Sequence, residues 1–122
     1  MAKSDKARII REYMPEYPDP IEVVAGERVS VGNEDAEFPG WVWCRSSDGR
    51  EGWVPAELLS SEGSDAIILE NYSARELAVQ LGEEVIVEAV RHEWLLVRST
   101  RKERGWIPAS HAENVRGGPV EE

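Results

Sequence analysis

Few side chains in this 122-residue sequence are of the types that do covalent chemistry. The single cysteine, Cys44, sits in Trp41-Val42-Trp43-Cys44-Arg45, a run dense in β-forming side chains. A thiol buried on a strand behaves as a small inert hydrophobe and not as a nucleophile. His92 and His111 come with no His-x-His or Cys-x-x-Cys spacing, so no metal site is expected. The carboxylates are plentiful and spread out, which reads as a solvated face and not as a paired acid and base. No glycine-rich phosphate cradle is present, and no cofactor is expected. Pro15-Glu16-Tyr17-Pro18 fits Pro-x-x-Pro literally, but prolines stiffening a loop explain it. What remains is aromatic chemistry. Five tryptophans are available, and exposed indoles tend to anchor interfaces. The same indoles could be half-buried packing, and both readings stay open.

Those indoles need strands to position them. Trp41 to Arg45 reads as one strand, and Ser46-Ser47-Asp48-Gly49 follows it. Asp-Gly supplies the positive φ of a tight turn, and Arg50 to Val54 returns. Pro55 stops the strand because it cannot donate to a ladder. The hairpin then recurs. Trp94 lies 53 positions after Trp41, Arg98 follows Arg45 by the same step, and Gly105-Trp106-Ile107-Pro108-Ala109 falls on Gly52-Trp53-Val54-Pro55-Ala56. Such a period means repeated supersecondary units. Upstream the offset widens, to 56 between Gly26-Glu27-Arg28-Val29 and Gly82-Glu83-Glu84-Val85, and to 59 between Ala7 and Ala66. The slips fall between strands, where loops tolerate deletion.

The expected organisation is a polar arm (1–6), a first copy (7–59), a linker (60–65), a second copy (66–115) and a polar tail (116–122). Each copy is about 55 residues, a size that buries only about 60% of its chain surface. Residues 60–65 span at most ~20 Å at ~3.3–3.6 Å per residue, so the copies stay neighbours. The net charge of −10 is evenly split between the halves. It repels phosphate backbones and anionic lipid, which argues against nucleic-acid and membrane-surface roles and favours a cationic partner. One cysteine fits a reducing compartment. No apolar run approaches the ~20 residues of a membrane span, and Met1 to Lys6 lacks the apolar core of a secretion signal. A cytoplasmic location is the expectation.

The order of short strands, Pro-rich first loop, Trp-led strand and Gly-x-x-Pro close resembles a Src-homology-3 (SH3) domain, twice, in a divergent or variant form. The family's opening strand has counterparts in Ile9-Ile10-Arg11-Glu12-Tyr13 and Ile68-Leu69-Glu70-Asn71-Tyr72. Its acidic-Leu-x-Phe-x-x-Gly run is similar to Pro20 to Glu27 and to Glu76 to Glu83. The resemblance implies an all-β fold of two tandem five-stranded barrels. The expected cores are Ile9, Ile21, Val23, Val29, Val31, Cys44, Val54 and Leu59 in the first copy. In the second they are Ile68, Leu77, Val79, Val85, Val87, Val97 and Ile107.

The resemblance further implies a non-enzymatic module that docks extended peptide or protein segments, proline-rich or carrying Arg or Lys. A polyproline II peptide has little entropy left to lose and packs its rings on flat aromatic faces. Carried across residue by residue, the first groove would be Tyr13, Trp41, Pro55 and Leu58, and the second Tyr72, Trp94, Pro108 and His111. Trp53 and Trp106 join them on the returning strands. The acidic partner for a ligand cation would be Glu76 in the second copy and Asp19, beside Pro20, in the first. The departures are specific: Arg11 and Glu70 stand where the family has a tyrosine, Leu58 and His111 replace another, and the long loop after the opening strand, the family's RT loop, is three residues short in the second copy. A leucine cannot donate a hydrogen bond as tyrosine does. A structural or assembly subunit that uses its aromatic faces for inter-domain or homo-oligomer contacts is the alternative.

Overall fold

The computed structural model describes residues 5–15 and 19–120. Among these the chain is all-β, with strands β1 (Asp5–Ile9), β2 (Glu22–Val23), β3 (Arg28–Glu34), β4 (Trp41–Arg45), β5 (Glu51–Pro55) and β6 (Leu59–Glu62). They continue with β7 (Asp65–Ile68), β8 (Tyr72–Ser73), β9 (Glu84–Arg91), β10 (Trp94–Arg98), β11 (Arg104–Pro108) and β12 (Ala112–Asn114). Single 3₁₀ turns, Ala56–Leu58 and Ala109–His111, follow the two prolines that end β5 and β11. No described helix is long and apolar enough to cross a membrane.

The strands form SH3-like barrels, but not from contiguous copies. One five-stranded sheet runs β11-β10-β9-β1-β12 and the other β5-β4-β3-β7-β6. The opening strand of each copy has changed places. β1 pairs with β9 and β12 of the second copy, and β7 pairs with β3 and β6 of the first. The register is conserved in the exchange. Ala7 faces Val85 as Ala66 faces Val29, and Ile9 faces Ala112 as Ile68 faces Leu59. The compact units are accordingly Met1–Glu16 with Glu76–Glu122 (unit 1) and Tyr17–Arg75 (unit 2), whereas the repeat runs 7–59 and 66–115.

Residues 60–65, linker-like in composition, explain this division locally. They belong to a hairpin in which Glu62 faces Asp65 across the two-residue turn Gly63-Ser64. Gly63 takes φ +72, as the Gly-X hairpin turn requires. With β7 held beside β6, the matching slot in unit 1 is filled by β1. At the chain ends the expected arm and tail are also partly structured. Asp5 and Lys6 lie in β1, and Val120 is buried in the core of unit 1. Residues 1–4 and 121–122 of those two segments lie outside the described residues.

Each core follows strand alternation. Unit 1 packs Ala7 and Ile9 from β1 with Leu77, Val79, Val85, Val87, Leu95, Val97 and Ile107, closed by Ala112 and Val120. Unit 2 packs Ile21, Val23, Val29, Cys44, Val54 and Leu58 with Ala66 and Ile68 from β7. Ile9 and Ile68 thus serve the barrel of the other copy. Leu58 takes the buried place expected of Leu59, which is only half-buried, as is Val31. Cys44 is buried, and that burial pushes its thiol up to about 11, so it stays protonated at neutral pH.

The two hairpins close by the same turn with different residues. The Ser46 N–H donates to the Arg50 carbonyl at 2.9 Å and the Gly49 N–H to the Ser46 carbonyl at 3.0 Å, with Gly49 at φ +89. Lys102 stands at the corresponding place in the second hairpin and adopts φ +69. The Ser46 hydroxyl, which hydrogen-bonds the Asp48 carboxylate, holds that carboxyl below its usual range, helped by the Arg50 backbone N–H.

Candidate functional site

In unit 1 the exchange brings Tyr13 of the first copy against Trp94 and His111 of the second. Tyr13 reaches this position through a ladder step: its N–H donates to the Val79 carbonyl at 3.0 Å, and the Val79 N–H donates back at 3.1 Å. Its ring meets Trp94 edge to face, with centroids 5.9 Å apart at 82°, and His111 likewise at 5.4 Å and 87°. This is the favoured arrangement of aromatic quadrupoles. The Tyr13 hydroxyl donates to Glu76 Oε1 at 2.6 Å, which fixes one carboxylate oxygen beside the rings. His111 Nδ1 lies 3.2 Å from the Glu12 carbonyl, a group that can only accept, so Nδ1 carries the proton in that bond. Pro108 stands directly across from Trp94 in the β10–β11 ladder. Tyr13, Trp94, His111 and Glu76 are all half-buried, so each shows part of its surface to solvent.

Unit 2 holds the same positions in a different state. Tyr72 of the second copy stands on β8, across from Val23, as Tyr13 stands across from Val79. Its hydroxyl donates to the Trp53 carbonyl at 2.8 Å, where Tyr13 instead holds a carboxylate. Trp41 faces Pro55 across the β4–β5 ladder, but Trp41 is only 4% exposed and Pro55 is buried. Leu58, expected at this groove, packs in the core at 3%. Asp19 makes an ion pair with Arg50, Oδ1 to Nε at 3.2 Å. On the returning strands Trp53 is half-buried and Trp106 is 5% exposed.

The expected sets therefore regroup. Tyr13 goes with Trp94, Pro108 and His111, and Tyr72 with the strand that carries Trp53. One aromatic was not among the expected site residues. Trp43 faces Trp53 in the β4–β5 register, with centroids 4.9 Å apart at 75°, and its Nε1–H donates to Glu51 Oε1 at 2.8 Å. Its position in the second copy is taken by Leu96, so the repeat gave it no weight. The alternation Trp41-x-Trp43 on one strand was the available signal. His92, at φ +44 with Glu93 at φ +72, makes the tight turn between β9 and β10. Among the described residues no group of three or more His, Cys, Asp or Glu could hold a metal ion.

Residues 6–62 match the family model of the variant SH3 domain. The match follows the first sequence copy and not one compact unit, since it takes in β1, which folds in unit 1, and β2 to β6, which fold in unit 2. No curated protein matches the chain. An SH3-type domain is in general a protein-interaction module.

Proposed function

We propose that the protein is a non-enzymatic binding module whose working site is the Tyr13–Trp94–His111 face of unit 1, with Pro108 beside Trp94 and Glu76 as the acidic contact. The second copy is, on this reading, a further SH3-type domain, and the two copies act as a tandem pair. The occupant is an extended segment with at least one Arg or Lys, proline-containing where it crosses the rings. The observation that carries this is the convergence of three rings and one carboxylate, drawn from both copies, with the carboxylate held by the Tyr13 hydroxyl. Rings at right angles leave flat faces for proline, and a fixed carboxylate in an acidic chain attracts a cation. Unit 2 contributes less, because Trp41 and Leu58 are buried.

A proline-rich, arginine-containing peptide titrated into the protein is expected to shift the indole signals of Trp94 and the ring signals of Tyr13 and His111. Trp94→Ala should weaken binding by about 30-fold or more, the loss of one aromatic anchor. Added salt should weaken what remains of the charge contribution. Unchanged affinity in Trp94→Ala, or shifts confined to other residues, would remove the proposal.

A further inference from the structure

We infer that the surface charges on β1, β3, β7, β9 and β12 form a pairing code that selects the exchanged strand order over the contiguous one. The core cannot make that choice. The inward residues of β1 are Ala7 and Ile9 and those of β7 are Ala66 and Ile68, the same side chains at the same register. Either strand would fill either slot equally well from the inside.

The outward residues differ, and apart from Glu62 opposite Asp65 beside the turn they differ in one direction. By the repeat, Lys6 corresponds to Asp65, Arg8 to Ile67, Glu84 to Arg28 and Glu113 to Ser60. In the observed order Glu84 receives both Lys6, at 3.9 Å, and Arg8, at 3.7 Å. Arg8 stands across from Glu84 on one side and Glu113 on the other. In the other barrel the Lys6–Glu84 diagonal reappears with its polarity inverted, as Asp65 to Arg28 at 3.7 Å. Contiguous pairing at the same register would set Arg8 opposite Arg28, Lys6 diagonal to Arg28, and Asp65 diagonal to Glu84. Ile67 would then lie between Glu84 and Glu113, with neither carboxylate matched. Every attractive pair would become a like-charge pair or be lost.

These side chains are 39–57% exposed, so each pair is weak alone. Cross-strand pairs are nevertheless worth about a factor of 1.4–5 each, and like charges cost a similar factor. Several of them, attractive in one order and repulsive in the other, bias the two orders by about tenfold or more. The Gly63-Ser64 turn also favours the observed order, so the test leaves it unaltered.

The variant Arg28→Glu with Glu84→Arg reverses the code on the two central strands alone. Backbone NOEs from Ala7 report the order: contact with Val85 marks the exchanged form and contact with Val29 the contiguous one. The wild-type protein should show Ala7–Val85 only. The variant should gain Ala7–Val29 contacts or lose thermal stability. A second variant adding Lys6→Glu, Arg8→Glu, Asp65→Arg and Glu113→Arg restores every pair with inverted sign. It should recover the wild-type midpoint and the Ala7–Val85 contact alone. Retention of Ala7–Val85 with an unchanged midpoint in the first variant would overturn the inference. If the first variant melts early or does not fold, failure of the second to recover would overturn it equally.

Discussion

A chain that begins at Arg11 is expected to lose the barrel containing Trp94 and to keep the one containing Trp41. In a contiguous tandem the opposite would hold, because the missing strand would belong to the first copy. Here β1 lies between β9 and β12 and is the link between them in the sheet. Its removal exposes the inner edges of both strands and takes Ala7 and Ile9, each 0% exposed, out of the core. Losing one buried isoleucine costs about 2–5 kcal/mol. A domain of this size has a total stability toward the low end of about 5–15 kcal/mol. The lost ladder adds to that deficit. Amide hydrogen exchange should show protection collapsing over 84–114 and persisting over 28–45 and 65–68. Collapse over 28–45 with 84–114 protected would mean that β1 serves its own copy.

Gly105→Ala is expected to destabilise unit 1 far more than one methyl group ordinarily would. A Cβ at Gly105 would stand 2.8 Å from the Glu76 carbonyl carbon and from the Leu77 nitrogen, and 2.9 Å from the Leu77 Cβ. Two of those atoms are backbone, so relief requires moving the segment that carries Glu76 and Leu77. That segment is held to β11 by the Leu77 N–H donating to the Trp106 carbonyl at 3.1 Å. The overpacking cost is about 1–3 kcal/mol, at or above the top of that range where backbone must shift. Gly52 is the internal comparison. Its Cβ would meet an Ile21 methyl at 2.9 Å, with the Ala74 Cβ and the Ile21 nitrogen at 3.3 Å, so one side-chain atom and no backbone atom comes closer than 3.0 Å. Chemical denaturation should place Gly105→Ala well below Gly52→Ala in midpoint, and equal midpoints would contradict the packing described.

Much of this was legible from residue patterns. Trp41 to Pro55 and Trp94 to Pro108 are hairpins because β-forming runs flank turn residues and prolines close them, and the repeat multiplied that signal. The inert Cys44 was legible too, since a lone thiol between core positions of a strand has no activating neighbour. The exchange was not read from the sequence. Periodicity says which side of a strand faces inward, and Ala7-x-Ile9 and Ala66-x-Ile68 are alike in that respect, so the pattern does not say which barrel each strand enters. The information lay in Lys6, Arg8, Arg28, Asp65 and Glu84, whose exposed charges carry meaning only once cross-strand partners are known. Residues 60–65 misled for a related reason. Gly, Ser and acidic residues suit a tight hairpin turn as well as a linker, and only the length of the flanking ladder separates the two. The aromatic site inherited the same ambiguity, because Tyr13 and Tyr72 follow their strands into the exchanged barrels. Trp41 and Trp106 show that an indole in register with its repeat partner need not share its exposure.

Ring-to-ring NOEs of Tyr13 in the full chain test the central claim most directly, because one residue reports both the exchange and the assembly of the site. The account predicts contacts from the Tyr13 ring to the Trp94 indole and the His111 imidazole, at ring separations of 5.9 and 5.4 Å. Contacts from Tyr13 to Trp41, with Tyr72 taking the place beside Trp94, would contradict it.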